Sequence, residues 1–349
     1  MAGEGSLLRV GSRKSELALI QTKYVISLLQ KIRPEIQFEL VTMATTGDKV
    51  LDVALSKIGE KSLFTKELEI ALEKKEVDFV VHSLKDLPTI LPEGMVIGSV
   101  LEREDPRDAV VMKQGSAFSC LADLPPGAVI GTSSLRRSAQ LKLNFPQLKF
   151  QDIRGNLNTR LRKLDDKDGV YAAIILAVAG ISRMGWIDRI SEYLEPSSCM
   201  HAVGQGALGV ECREGDVETL NLLSSLHHRE TVLRTVAERS FLRVLEGGCS
   251  VPVAVTSRVT EAGISLDGGV WSIDGTKSVS GTNSVVFKNS TDALKQRSYV
   301  GISANQIEAE ILSGAELCGR ELAELLISKG AEPILKEAKA QSVMAEPVK

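Results

Sequence analysis

Arginines, one aspartate and one cysteine are the residues of this chain best suited to chemistry. Between Gly131 and Lys163 eight basic residues stand against one acid, Asp152, although the 349-residue chain carries a net charge of −3. They are Arg136, Arg137, Lys142, Lys149, Arg154, Arg160, Arg162 and Lys163. Arginine stays charged at any working pH and grips carboxylate or phosphate through a planar fork. A mildly acidic chain that gathers forks in one stretch is suited to holding a small anion of several charges. Gly131-Thr-Ser133-Ser-Leu-Arg136-Arg137 puts a glycine and three hydroxyl residues between a strand and a helix, where unpaired backbone N–H groups favour an anion. Ile153-Arg154-Gly155-Asn156-Leu-Asn-Thr-Arg160 repeats that logic at the next strand-to-helix turn. A solvated basic face is the plain alternative, and two independent turn placements weigh against it.

Asp86 follows a continuously apolar strand, in His82-Ser83-Leu-Lys85-Asp86-Leu-Pro88. A carboxylate at the carboxyl end of a strand is placed for proton transfer or for steadying a cation. A lone aspartate there is more often a turn or cap residue; Ser83, Lys85 and the arginine stretch favour catalysis. Cys249 follows Gly247-Gly248, which lets the backbone approach something bulky. The remaining cysteines have no such setting, and their spacing to His201, His227 and His228 matches no zinc pattern, so no metal is expected. Gly204-Gln205-Gly206 is too short to signify a dinucleotide.

The elements that must position these residues read as α/β units. Strands are predicted at Leu7–Val10, Phe38–Ala44 and Val77–Val81, with helices from Ser15 (Leu17, Ile20, Tyr24 and Leu28 on one face) and over Thr65–Glu76. A second set has strands at Ala128–Gly131, Lys149–Ile153 and Ala172–Ala177 and helices at Ser134–Asn144 and Leu157–Asp165. Ala207–Glu211 is read as a strand returning to the first lobe. A separate α+β unit begins with a helix over Arg229–Leu245, continues through strands at Val251–Val255, Gly263–Leu266 and Gly269–Trp271, and closes with a helix near Glu308–Lys329. Thr276–Arg297 is polar and unpatterned and Glu337–Lys349 reads as a frayed tail. Met43–Ser62, with Gly47 and Gly59, is equally a lid or an ordinary surface loop, and Phe64 just beyond it is a candidate ring contact.

Composition narrows the partners. Aromatic residues are only 4% of the chain, so stacking platforms are scarce, and no duplex-reading motif is present; no nucleic acid is expected. No apolar run is long enough to span a bilayer, so no membrane is expected. Five scattered cysteines and the start Met1-Ala-Gly-Glu-Gly, without a secretory pattern, point to a cytoplasmic protein.

Gly11-Ser-Arg13-Lys-Ser15, Val81-His-Ser-Leu-Lys-Asp-Leu-Pro88, Gly131 to Arg137, Ile153 to Arg160 and Leu245-Glu-Gly-Gly-Cys-Ser-Val-Pro252 together resemble the porphobilinogen deaminase (hydroxymethylbilane synthase) family, in order from about Leu8 to Gly330. The resemblance implies two α/β lobes similar to type II periplasmic binding proteins plus a smaller α+β C-terminal domain. The expected domains are 1–103 with 204–227, then 104–203, then 228–349. It implies a transferase of tetrapyrrole (haem) biosynthesis, expected as a monomer, that joins four porphobilinogen molecules with loss of ammonia and releases hydroxymethylbilane by hydrolysis. The family's dipyrromethane cofactor would be held by a thioether at Cys249. Asp86 matches the catalytic acid; Arg13, Arg136, Arg137, Arg154, Arg160 and Arg183 match carboxylate-binding arginines. Ser15, Gln21, Ser83, Lys85, Ser133, Gly155, Asn156 and Gln205 match further contacts. Each ring carries an acetate and a propionate, so cofactor plus four rings bring about twelve carboxylates to neutralise. A non-catalytic organic-anion binder would share the two-lobed cleft but has no use for a Gly-Gly-Cys arm.

Overall fold

The computed structural model describes residues 7–45, 65–246, 251–287 and 298–344. Of Met43–Ser62, read as a lid or a surface loop, all beyond Thr45 lies outside the described residues, as do Phe64 and Gly247-Gly248-Cys249.

Chain order builds two lobes of one design. β1 (Leu7–Arg13), α1 (Glu16–Ile32), β2 (Gln37–Met43), α2 (Lys66–Glu73), β3 (Phe79–Ser83) and β4 (Met95–Val100) open the first. The chain then crosses into β5 (Asp108–Met112), β6 (Val129–Gly131), α3 (Leu135–Asn144), β7 (Lys149–Gln151), α4 (Leu157–Asp165), β8 (Tyr171–Ala177), α5 (Val178–Arg183) and β9 (Glu192–Leu194). It returns through β10 (Leu208–Arg213) and α6 (Val217–Ser224). The sheets have the orders β2-β1-β3-β10-β4 and β7-β6-β8-β5-β9. In each, three parallel strands are followed by an antiparallel crossover strand, β10 in one and β5 in the other. The return at Ala207–Glu211 is therefore seen as β10, inserted between β3 and β4. Loops at the carboxyl ends of the parallel strands carry the candidate site, as open α/β sheets dictate.

The inner face of α1 differs from the stripe read in the sequence. Ala18, Gln21, Thr22, Val25 and Leu29 are buried, whereas Tyr24 is 51% exposed. Polar residues take the inner face because they have partners there: Thr22 Oγ1 donates to Ser12 Oγ at 2.9 Å and Gln21 Nε2 to Ser83 Oγ at 3.1 Å. The hydrophobic period alone cannot reveal such partners.

The last unit starts with α7 (Arg229–Val244), then an antiparallel sheet of β11 (Val253–Val259), β12 (Gly263–Trp271) and β13 (Ser278–Val286), then α8 (Ala309–Ser328) and α9 (Ala331–Met344). Three expectations are corrected here. The two strands read around Gly268-Gly269 are one, β12. Part of the supposedly unpatterned Thr276–Arg297 is β13, whose exposed and half-buried positions alternate in a run of Ser, Thr, Asn and Val, so the strand is polar on one face and carries little hydrophobic signal. The tail read as frayed from Glu337 is helical to Met344, because Ile334, Leu335 and Ala338 close the core of this unit.

That core does not stop at the unit's border. Leu84, Leu87, Ile97 and Val100 of the first lobe belong to the same cluster as Val232, Val236 and Phe241 of α7. The edge of β4 is capped as well: Ile97 N donates to Gly301 O at 2.8 Å and Ser303 N to Ile97 O at 3.0 Å. Covering an edge strand this way removes a row of unpaired backbone groups.

Two connections, near Leu101–Arg107 and His201–Ala207, run side by side between the lobes, with Leu101 N on Leu208 O and Glu104 N on Gly206 O. Gly206 has φ +91, and a Cβ there would lie 2.4 Å from the Glu104 carbonyl oxygen, so only glycine fits. The crossing is locked by a buried ion pair. Arg103 Nη1 and Nη2 meet Glu238 Oε1 and Oε2 of α7 at 2.6 and 3.0 Å, and Glu238 also accepts from Ser257 Oγ (2.5 Å) and Gly204 N (2.8 Å). Burial alone would raise the Glu238 pKa, but Arg103 and His201 hold it down to about 2. Removing one partner leaves a buried charge uncompensated. Glu238→Ala is therefore expected to lower unfolding free energy by about 3–5 kcal/mol, read as a lower denaturant midpoint. A midpoint equal to that of the parent would show that the pair does not secure the junction.

Candidate functional site

Each lobe delivers its chemistry from strand-to-helix turns. β1 ends at Arg13, and Ser15 stands at the N-cap position of α1 without a side-chain capping bond; β3 ends at Ser83 and tightens into a single 3-10 turn, Leu84–Asp86. Leu84 is buried and anchors that turn, while Asp86 faces solvent. Arg13, Ser15, Gln21, Thr65, His82, Ser83 and Asp86 line one pocket of the first lobe. In the second lobe Ser134 caps α3, accepting from Arg137 N, and Ser133 Oγ donates to Ile153 O at 2.9 Å, tying the two turns together. Asn156 caps α4 by accepting from Thr159 N at 2.9 Å, and the half-buried Arg160 turns back to donate from Nε to Gly155 O at 2.8 Å.

The lobes meet through charge. Asp86 supports the cationic form of Arg160, while burial and repulsion from Arg137 and Arg154 push the Arg160 pKa down to about 10. Lys85 donates to Gln205 Oε1 at 3.3 Å; burial first, then Arg137, push its pKa down to about 8, against support from Asp86 and Asp108. Both shifts have the same origin: cations crowd a space with too little water and too few anions. Asn158 Nδ2 on Glu16 Oε2 (2.8 Å) and Arg183 Nη2 on Gly206 O (2.7 Å) also join the two lobes. Arg183 is thus engaged with the connecting strand.

Arg136 and Arg137 are not open forks at a helix start. They are buried, and their guanidiniums clasp Asp108, Arg136 Nη1 on Oδ2 and Arg137 Nη2 on Oδ1, each at 2.7 Å. Arg136 Nη1 also donates to Met200 O (2.7 Å) and Arg137 Nη1 to Ile175 O (3.0 Å). Gln205 Nε2 reaches the same carboxylate at 2.8 Å. Burial alone would raise the Asp108 pKa, but the two guanidiniums hold it far below the usual carboxylate range. Arg137 Nε is buried without a hydrogen-bond partner, a donor still to be matched. Asp108 escaped notice in the sequence because its partners lie 28, 29 and 97 positions away; its one local signal is an acid opening an otherwise apolar strand. Cys199 packs in the same cluster, 3.7 Å from Asp108 Oδ2, and burial pushes its thiol up to about 12.

His82 and Glu211 were also missed. Their side chains approach, Nε2 to Oε2 at 2.9 Å, buried on the paired strands β3 and β10, with Glu69 close enough for its pKa to be raised by burial and by Glu211. Among the described residues no group of three or more His, Cys, Asp or Glu could hold a metal ion, and no helix is long and apolar enough to cross a membrane.

Comparison with known proteins gives this arrangement its relatives. Residues 8–221 match the family model described as porphobilinogen deaminase, dipyromethane cofactor binding domain, and residues 232–306 match that of the porphobilinogen deaminase C-terminal domain. A porphobilinogen deaminase of Nostoc sp. is 50% identical over 328 residues, covering 94% of this chain and 93% of the relative. One from Gloeobacter violaceus is 59% identical over 268 residues, 76% of this chain and 81% of its own length. Overlap with solved structures is loose: the methionine binding protein MetQ shares 14% identity over 62% of this chain and 90% of its own, at a TM-score of 0.38. The two-lobed α/β architecture with its smaller third unit therefore rests on the sheets described above. By the extent and identity of these matches, the chain belongs to the porphobilinogen deaminase family.

Proposed function

We propose that this chain joins four porphobilinogen molecules head to tail, with loss of one ammonia from each, and releases the linear tetrapyrrole hydroxymethylbilane by hydrolysis. It acts on soluble substrate as an enzyme of tetrapyrrole synthesis. The observation that carries this reading is Asp86: a solvent-facing carboxylate on a rigid turn, across from the cationic turns of the second lobe.

The donor set suits a dipyrromethane. Such a group brings acetates and propionates, and the cleft offers guanidiniums, the Lys85 ammonium, and in Arg137 Nε a buried donor lacking an acceptor. Arg13, Arg137, Arg154 and Arg160, with Ser15, Ser133, Lys85 and the turn at Gly155-Asn156, would hold it, and Cys249 carries the thioether. When bound, the cofactor supplies the electron-rich pyrrole carbon from which the chain starts. Arg136 and Gln205 contribute mainly by fixing the walls, since they are engaged with Asp108, and Arg183 has one bond, to Gly206 O, tying it to the crossing segment.

Asp86 performs the common step. Departure of ammonia from porphobilinogen leaves positive charge on its pyrrole, and a nearby carboxylate stabilises that charge and can hold the ring N–H proton. Gln21 and Ser83 order the wall beside it. The arginines act on the substrate carboxylates and keep each incoming ring in the same attitude to Asp86.

Three outcomes are expected. Asp86→Asn should lower kcat by about 10²–10³-fold, with Asp86→Glu retaining more activity; near-parental turnover by the Asn variant would exclude Asp86 as the catalytic acid. Intact mass of the purified parent should exceed the polypeptide by two pyrrole units, and Cys249→Ser should lack that increment; an adduct persisting in the variant would put the anchor elsewhere. A pH effect follows from Lys85. Its ammonium is lost as pH rises through about 8, and substrate carboxylates favour the charged form, so binding must take up a proton above that pH. KM for porphobilinogen should rise above pH 8 by up to about tenfold per unit, and Lys85→Met should lose that limb. The same slope in both proteins would assign the titration to another group.

A further inference from the structure

The backbone immediately after Asp86 is held by the third unit. Arg239 of α7 is almost wholly buried and donates Nη1 to Leu87 O at 3.1 Å, Nη2 to Pro88 O at 2.7 Å and Nε to Val300 O at 3.0 Å. One turn further along α7, Arg243 Nη2 donates to Thr89 O. Three successive carbonyls, Leu87 to Thr89, thus end on two arginines of one helix. The side chains agree with the main chain: Leu84 and Leu87, on either side of Lys85-Asp86, sit in the core with Val232, Val236 and Phe241 of α7.

This arrangement is costly. The hydrogen-bond partners of Arg239 are neutral carbonyls, and burial, then Arg243, push its pKa down to about 9, with Glu211 opposing. A methionine or leucine would fill the space without that penalty. What a guanidinium adds is a planar fork that fixes two adjacent carbonyls at once. Val300, whose carbonyl takes the third bond, is held at φ +45, a strained conformation for a β-branched residue. The same helix leads through Leu245 and Glu246 into the sequence that carries Cys249.

We propose that Arg239 and Arg243 are positioning residues for the reaction: α7 sets the place of the Asp86 carboxylate through the Leu87–Thr89 carbonyls. The inference rests on the reading of Asp86 as the catalytic carboxylate.

The test uses the full-length holoenzyme. Arg243→Gln and Arg239→Gln should keep the dipyrromethane mass and a KM for porphobilinogen within about threefold, while kcat falls by about 10- to 100-fold, the cost of a small misplacement. Arg243→Lys should recover most of the loss, as it restores a donor to Thr89 O. Hydrogen exchange across residues 84–91 should quicken in the Gln variants while the rest of the first lobe keeps the parental rates. If Arg239→Gln does not fold, Arg243→Gln decides alone. Parental kcat in a fully loaded variant, a change confined to KM, no rescue by lysine, or a kcat loss that only tracks missing cofactor would each overturn the proposal. Should Asp86→Asn keep parental turnover, the functional reading fails instead; an inactive Asp86→Asn beside fully active arginine variants sinks the helix coupling alone.

Discussion

Asp108 lies fully buried between two guanidiniums and the Gln205 amide, and the cationic cleft depends on that carboxylate staying ionised. A dense set of arginines opposes its own assembly, because each charge raises the cost of the next. Burial first, then repulsion from neighbouring arginines, pushes the pKa values of Lys85 and Arg160 down. Asp108 offsets it from behind, where no ligand can compete for the carboxylate. It also aligns Gln205, which in turn receives Lys85, so a single acid orders cations from both lobes.

The third unit contributes in a different way. None of its described residues lines the pocket beside Asp86, yet its helix α7 reaches the two places on which lobe geometry turns. Glu238 closes the crossing through Arg103 and Gly204, and Arg239 and Arg243 fasten the segment beyond Asp86. The first lobe and the third unit also share an apolar core, whereas the contacts described between the first and second lobes are chiefly polar. Polar interfaces yield to relative motion more readily than a continuous hydrophobic one. The second lobe meets the third unit through a smaller apolar cluster of Ala139, Ala254 and Trp271.

Much of this was legible in the sequence because the chemistry is local. Strand, tight turn and helix N-terminus follow one another within a few residues at Gly131–Arg137 and Ile153–Arg160, and Leu157–Asp165 is a helix over those residues. The turn bearing Asp86 could be read for the same reason. What could not be read depends on partners far along the chain or on polar residues with buried roles. Arg136 and Arg137 look like free forks until Asp108 is folded against them. Thr22 and Gln21 look like surface residues until Ser12 and Ser83 meet them, which is why the buried face of α1 was misjudged. β13 was invisible because its polar alternation carries little hydrophobic contrast.

The uneven use of the arginines bears on how such a cleft can both hold and release a polyanion. A guanidinium has five N–H donors, and those engaged with protein acceptors add potential without adding contacts. Arg136 and Arg137 share one carboxylate, so together they project roughly one net positive charge into the cleft rather than two. Arg160 gives Nε to Gly155 O and so presents its fork from a fixed backbone rather than a mobile side chain. Attraction at range therefore comes from a pinned and partly neutralised group, and close contact from a few preoriented forks. Were every arginine open, the roughly eight carboxylates of the four released rings, each matched by a charge-assisted bond of about 1.5–3 kcal/mol, would bind too tightly to leave readily. Committing part of the charge to Asp108 lowers both the field that draws the substrate in and the grip on the finished product, and leaves a net positive charge in place.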